Sequence, residues 1–345
     1  MIKYLGSKRR LLPAIIREIQ NIPDVHTVVD VFSGTSRVGI AMKSMGYKVY
    51  SNDYSHFAHA LAKCHVETDP SAEILNDTIQ LIGEFNELKG SSGYFTETFC
   101  VKSKFFQPKN GERIDAIREE IAEKSLNPSL EAVLLTSLME AADRVDSTVG
   151  VQMAYLKEWS PRSHKDIQLK VPHMVLSGPN GKSKASRNDV FDFLEDMRFV
   201  KADLAYIDPP YNQHSYLGNY HIWESLVQWD KPAVYGVACK REDIKQRKSP
   251  FNSKPQFEHT MRRLLTNINA RHIILSFSDE GFLSKDKLLD MLHSIYSPGS
   301  IQVREFLYPR YVGSRIGIHN PQGEKVGEVG SLINKEFLFV IDRSV

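Results

Sequence analysis

Cysteine is scarce in this chain: Cys64, Cys100 and Cys239 are the 3 cysteines in 345 residues, and they lie far apart. That spacing matches neither a disulfide framework nor the paired ligands of a structural zinc site, so a reducing compartment and no metal are expected. Long apolar runs are missing too. No stretch of about 18 apolar residues occurs, and the opening Met1–Lys8 has no apolar core or small-residue cleavage site. The expectation is a cytoplasmic chain that does not enter a membrane. Neither sign of charge dominates: 44 Lys and Arg face 42 Asp and Glu, a formal net charge of +2. A protein coated in nucleic acid would carry a large excess, whereas a local basic face stays open. There is no low-complexity tract and no internal repeat. What is present, 41% hydrophobic and 25% charged residues, is the composition of a globular protein of two domains, or of one domain with a large insertion.

Periodicity divides the chain. Leu11, Leu12, Ile15, Ile16 and Ile19 make one helical stripe, with Pro13 tolerable in a first turn. The β-branched run Thr27–Phe32 reads as a strand that stops at Ser33-Gly34-Thr35-Ser36, and Val38–Met45 reads as a helix. A second short strand, Gly46–Asp53, and a second helix, Ser55–Val66, repeat the pattern of an α/β parallel sheet. From Glu67 to Lys184 the rhythm changes to long helices, Ala72–Leu88, Glu112–Lys124 and Ser129–Val145, and closes in the polar loop Ser177–Lys184. The strand pattern then resumes at Leu204–Ile207, Ile273–Phe277, Ile301–Leu307 and Phe337–Ile341, with a helix at Val190–Met197. This gives an α/β domain from 1–66 and 185–345, interrupted by a mainly helical insertion at 67–184 that the α/β core does not need for its packing.

The sharpest local signal is Ile207-Asp208-Pro209-Pro210-Tyr211-Asn212, directly after a buried strand. Two prolines fix their φ angles and cannot continue a sheet, so they hold a rigid loop that presents Asp208 and Tyr211 at the carboxyl edge, where open α/β folds bind ligands. A strand-ending turn with no ligand is the plainer reading of the same residues. The second signal is Asp30-Val31-Phe32-Ser33-Gly34-Thr35-Ser36-Arg37-Val38-Gly39, a strand running into a small-residue loop that opens a helix. Such a loop lets backbone approach a nucleotide-like cofactor, and Asp53 at the end of the next strand can accept from ribose hydroxyls. Ser36 stands where a dinucleotide fingerprint has glycine. Phe32 can be core or a stacking surface, and Asp189 can touch the cofactor or cap the helix that starts at Val190.

Together these pieces resemble the S-adenosylmethionine-dependent DNA adenine-N6 methyltransferases, of the type in which cofactor motifs precede Asp-Pro-Pro-Tyr and an insertion lies between. Lys3-Tyr4-Leu5-Gly6-Ser7-Lys8 is similar to that family's opening motif, and Asn188-Asp189 to its short acidic motif. The extension Asp-Pro-Pro-Tyr-Asn followed by Tyr220-His221 and Glu224 looks most like the FokI-like restriction–modification members. The resemblance implies a Rossmann-like class I methyltransferase sheet with helices on both faces, and S-adenosylmethionine held by Tyr4, Gly6, Lys8, Asp30, Phe32, Gly34, Asp53 and Asp189. It also implies catalysis by Asp208, Pro209, Pro210 and Tyr211. In that scheme Lys8 pairs with the methionine carboxylate and Asp30 with its ammonium. Asp208 and the Pro209 carbonyl accept from the target amine, and Tyr211 stacks on an adenine flipped out of duplex DNA. The insertion is then the target-recognition region, and a cognate restriction endonuclease is an expected partner. RNA methylation, or a catalytically silent nucleic-acid-binding module of the same fold, are the alternatives.

Contact with DNA phosphates needs cations. Lys240–Arg263 holds eight basic residues against three acidic ones, and Pro250, Asn252, Ser253 and Pro255 make its middle read as a loop. Lys245, Arg247 and Lys248 are the expected contacts there. Arg310 and Arg315, interleaved with aromatics in Tyr308–Arg315, are a second set.

Overall fold

The computed structural model describes residues 1–309 and 333–344. Nine strands follow in chain order: β1 Thr27–Asp30, β2 Lys48–Asn52, β3 Lys184–Ser186, β4 Ala202–Ile207, β5 Val234–Tyr235, β6 Lys240–Arg241, β7 Ala270–Ser278, β8 Ile301–Pro309 and β9 Ile333–Asp342. Seven form one sheet in the order β3-β2-β1-β4-β7-β9-β8, while β5 and β6 pair in a separate hairpin. The first five strands of that order are parallel, and β9 runs antiparallel between β7 and β8. This is a Rossmann-like methyltransferase sheet, as expected.

Both faces of the sheet are covered, which is why its strands read as nearly continuous apolar runs. Alternate residues divide between two cores. Val28, Val49, Leu204, Tyr206, Ile274 and Leu338 face the helices Leu12–Gln20 and Arg37–Ser44. Val29, Ala205, Ile207, Ile273, Leu275 and Phe339 face the helices Val190–Asp196, Lys254–Asn267 and Lys285–His293. Pro255 sits in the first turn of Lys254–Asn267, so it starts a helix where the sequence reads as loop; a first turn has no use for the amide that proline lacks.

The segment 67–184 carries the helices Ala72–Glu87, Pro108–Glu123 and Pro128–Asp143, and from Arg144 to Ser183 only the short turn Pro161–His164. Its packing corrects the idea of elements that the core can do without. Phe85, Phe99, Phe106, Ile117 and Leu138 share one buried cluster with Phe57 and Leu61 of the helix His56–Ala62 and with Tyr220, Trp223 and Leu226 at the helix His221–Gln228. Buried side chains of this size stabilise by roughly 1.5–3 kcal/mol each. The inserted helices therefore hold up the two helices that flank the carboxyl edge of the sheet.

Candidate active site

Strand order reverses between β1 and β4, and a crevice opens where the carboxyl ends of such strands diverge. Asp30 closes β1 in register with Ser51 of β2 and Tyr206 of β4, so Asp53 and Asp208 project two residues beyond it on either side. A cavity of about 340 Å³ lies at this edge. It is lined by Tyr4, Gly6, Lys8, Asp30, Phe32, Gly34, Asp53 and Asp189, all eight residues expected to hold a cofactor, together with Asp208 and Pro210. Pro209 and Tyr211 are not on its wall.

On one side the loop after β1 is built for close approach. Gly34 has φ +51°, and a Cβ there would lie 3.3 Å from the Tyr4 ring. Its N–H donates to Asp53 Oδ2 at 3.0 Å, while the Ser55 N–H and hydroxyl donate to Oδ1 at 3.0 and 2.7 Å. Burial pushes the Asp53 carboxyl up and these hydrogen bonds oppose it. Asp30 is more isolated. Its Oδ2 is buried with no hydrogen-bond partner among the described residues, and burial, reinforced by Asp208 and Asp53 and opposed by a hydrogen bond from the Gly39 backbone, pushes its pKa up to about 8. Ser36 takes the left-handed conformation, φ +59°, that glycine would adopt freely. Phe32 meets Phe251 edge-on at 5.2 Å. Asp189 caps the helix Val190–Asp196 by accepting from the Phe191 N–H at 2.9 Å, and it stands on the cavity wall.

The other side is organised by a cation. Lys8 Nζ lies 3.1 Å from Asp208 Oδ1 and 3.4 Å from Glu336 Oε2, so in this structure it pairs with the carboxylate of the Asp-Pro-Pro-Tyr loop. Burial pulls the Lys8 ammonium down, and Asp208 and Glu336 outweigh it, leaving its pKa well above the ordinary lysine value. Burial raises the Asp208 carboxyl, with Lys8 opposing. Tyr211 faces inward: its ring packs on Phe277 at 5.3 Å, its carbonyl accepts from the Phe282 N–H at 2.9 Å, and only 8% of the residue is exposed. Among the aromatics on the cavity wall are Tyr4 and Tyr216, stacked at 5.2 Å, and Tyr4 also stacks on the buried Tyr220 at 4.6 Å. Gly6 borders this stack with φ +74°, and a Cβ there would come within 2.9 Å of the Tyr216 hydroxyl.

Sequence reasoning missed several of these residues. Glu336 comes from β9, and its partner Lys8 is 328 residues away in the chain. The segment Arg247–Asn252 forms part of the cavity wall, and Asn252 donates to the carbonyls of Asn212 and His214 at 2.7 and 3.1 Å, pinning the loop after Tyr211. A Ser-Pro pair inside a basic run carries no signal for such a role. Arg247 differs from a free phosphate contact: it is paired with Glu224 at 2.8 Å and Asp243 at 3.3 Å. Burial pushes the Glu224 carboxyl up, and His56 and Arg247 outweigh it, so it stays below its ordinary value. Arg241 is likewise taken by Asp230 and Asp243. Lys245 and Lys248 are exposed. Arg310 and Arg315 lie outside the described residues. Among the described residues no group of three or more His, Cys, Asp or Glu could hold a metal ion, and no helix is long and apolar enough to cross a membrane.

The chain is similar to modification methylase StsI of Streptococcus sanguinis, 29% identical over 334 residues that cover 91% of this chain and 50% of that protein. It is similar to type II methyltransferase M.FokI of Planomicrobium okeanokoites, 30% identical over 331 residues, 90% of this chain and 50% of that one. A third relative, type II methyltransferase M.NlaIII of Neisseria lactamica, is 24% identical over 351 residues, 97% of this chain and 100% of the relative. The chain thus spans about half the length of the first two. Residues 4–291, which run from Tyr4 through the insertion and past Asp208, match the family model of D12 class N6 adenine-specific DNA methyltransferases, and the chain belongs to that family.

Proposed function

We propose that this protein transfers a methyl group from S-adenosylmethionine to the N6 amine of an adenine in duplex DNA at a specific sequence, as the modification half of a restriction–modification system with a cognate endonuclease. The observation that carries this reading is one cavity with two unlike carboxylates at the ends of neighbouring strands. Asp30 has a buried oxygen without a partner, and Asp208 stands on a proline-held loop. The cofactor fits that pair. The orphaned Asp30 Oδ2 suits the ammonium of its methionine, Asp53 suits the ribose hydroxyls, and Phe32, Gly34, Tyr4, Gly6 and Asp189 bound the remaining space. When bound, the cofactor supplies an electrophilic methyl group on sulfur.

The chain's own residues act on the amine. An adenine N6 has its lone pair delocalised into the ring, and acceptors on both hydrogens localise it. Asp208 and the Pro209 carbonyl supply these from a loop that needs no reorganisation. Burial raises the affinity of Asp208 for a proton, which suits Asp208 to take one from the amine. The base must leave the duplex to reach this edge, at a cost of a few kcal/mol, and stacking on tyrosine returns about 1–3 kcal/mol. Tyr211 serves that role if its ring turns from Phe277, whereas the Tyr216–Tyr4–Tyr220 stack already borders the cavity. Sequence choice is assigned to 67–184, and phosphate contact to the exposed Lys245 and Lys248.

The test is direct. Long-read mapping of N6-methyladenine in DNA from cells expressing the protein should show one recurrent sequence, and calorimetry should show S-adenosylmethionine binding. DNA without added methyladenine, from a protein that binds the cofactor, overturns the proposal.

A further inference from the structure

Glu336 is a charged residue where the strand pattern calls for an apolar one. On β9, Leu338 two residues on faces the core beneath Leu12–Gln20, and Glu336 shares that parity; yet Glu336 is only 7% exposed. It pairs in register with Ser278, the last residue of β7, which brings an antiparallel strand from the end of the sheet to the edge where Asp208 lies. There it meets Lys8, which is itself 7% exposed and stands between the two carboxylates. A buried glutamate costs stability unless it is paired, and one carboxylate would suffice to neutralise Lys8. The second one calls for a reason.

The demand on Asp208 provides it. Asp208 has to accept a hydrogen of the target amine, yet the Lys8 ammonium is ion-paired to its Oδ1 at 3.1 Å. An ammonium that simply left Asp208 would stand unpaired in buried surroundings, a change worth several kcal/mol. Glu336 Oε2, 3.4 Å from the same nitrogen, gives it a second seat. Resting on the methyltransferase reading above, we infer that Glu336 is a positioning residue of the transfer reaction: it keeps Lys8 paired while Asp208 turns to the adenine amine. No covalent bond changes in this step. Lys8 keeps its hydrogen bond to Glu336 and gives up its ion-pair contact with Asp208, and the amine takes the place it leaves.

The experiment is a set of Glu336→Gln, Glu336→Asp, Lys8→Gln and the Lys8→Gln/Glu336→Gln pair in the full chain. For each, kcat and KM are measured on duplex DNA carrying the mapped site, with the dissociation constant of S-adenosylmethionine from calorimetry and a melting curve. Glu336→Gln should lower kcat/KM for DNA ten- to a hundredfold while cofactor affinity stays within twofold, and Glu336→Asp should recover part of the loss. In the Lys8→Gln background, Glu336→Gln should add less than twofold, because its effect passes through Lys8. A folded Glu336→Gln enzyme with wild-type kcat/KM overturns the inference, and so do fully multiplicative losses in the pair or a loss that tracks cofactor affinity. A wild-type protein that methylates no adenine in duplex DNA overturns the activity itself, and this inference with it.

Discussion

The two sides of the cavity treat the same side chain in opposite ways. Asp30 and Asp208 stand at the ends of adjacent strands and face one space, but Asp208 has a cation of the protein's own at 3.1 Å while Asp30 has an oxygen with no partner among the described residues and a pKa of about 8. A buried carboxyl without a cation is unfavourable when ionised, so its persistence at a ligand edge marks a site for a cationic group. A carboxylate whose cation is supplied in place is organised for a neutral guest that donates hydrogen bonds. On the proposed function, this difference separates a cofactor half from a target half.

The strongest way to break this comparison is to exchange charge for amide on each side. Asp30→Asn should remove most cofactor binding and, since ionising a buried group whose folded pKa is raised destabilises the fold as pH climbs from about 4 towards 8, should raise the melting temperature at pH 8. Asp208→Ala should do the reverse on function, leaving cofactor affinity within a few-fold and lowering transfer by about a thousandfold, the scale of losing a principal electrostatic group. Calorimetry with methylation assays on the two variants decides it; matching phenotypes would erase the distinction.

A smaller effect sharpens it. If Asp30 is protonated before the cofactor binds and ionised after, affinity should increase with pH between 6 and 7.5 by up to about tenfold per unit, with a proton released. Calorimetry in two buffers of different ionisation enthalpy measures the proton, and Asp30→Asn should shrink the release; pH-independent binding would remove the assigned role of Asp30.

The smallest expected effect concerns the exposed cations Lys245 and Lys248. Lys245→Ala and Lys248→Ala should each lower the slope of log affinity for DNA against log salt by up to about 0.9, with fold stability unchanged. Arg247→Ala should instead destabilise by about 1–3 kcal/mol because it leaves the buried Glu224 short of a partner. A salt slope that follows Arg247 and ignores the two lysines would reverse this division.

How far the sequence carried is visible in particular elements. The helices Ala72–Glu87 and Pro128–Asp143 and the edges of β4 and β7 fall within a few residues of where apolar periodicity puts them, because each buries a face whose spacing repeats locally. β3 does not: Lys184-Ala185-Ser186 has no apolar pattern and exists as a strand through backbone pairing with β2. The eight cofactor-edge residues converge on one cavity because each sits within a turn of a strand end or in the opening motif. Charge counting on Lys240–Arg263 did not reveal that Arg241 and Arg247 are paired, since each also has a counter-ion outside the run, Asp230 and Glu224.

What this sequence determined by itself is the set of short motifs: a loop rigid through two prolines, a glycine in the small-residue loop that follows a strand, an acid at each strand end. These act over a few residues, where φ restrictions and strand alternation leave little choice. Only the tertiary structure decided which charges meet. That Lys8 lies between Asp208 and Glu336, that Asp30 has no cation, and that the inserted helices support the site rather than hang beside it all depend on which elements share a core. No local pattern encodes a pairing between residues 328 apart, because the energy that selects it is the packing of the whole sheet.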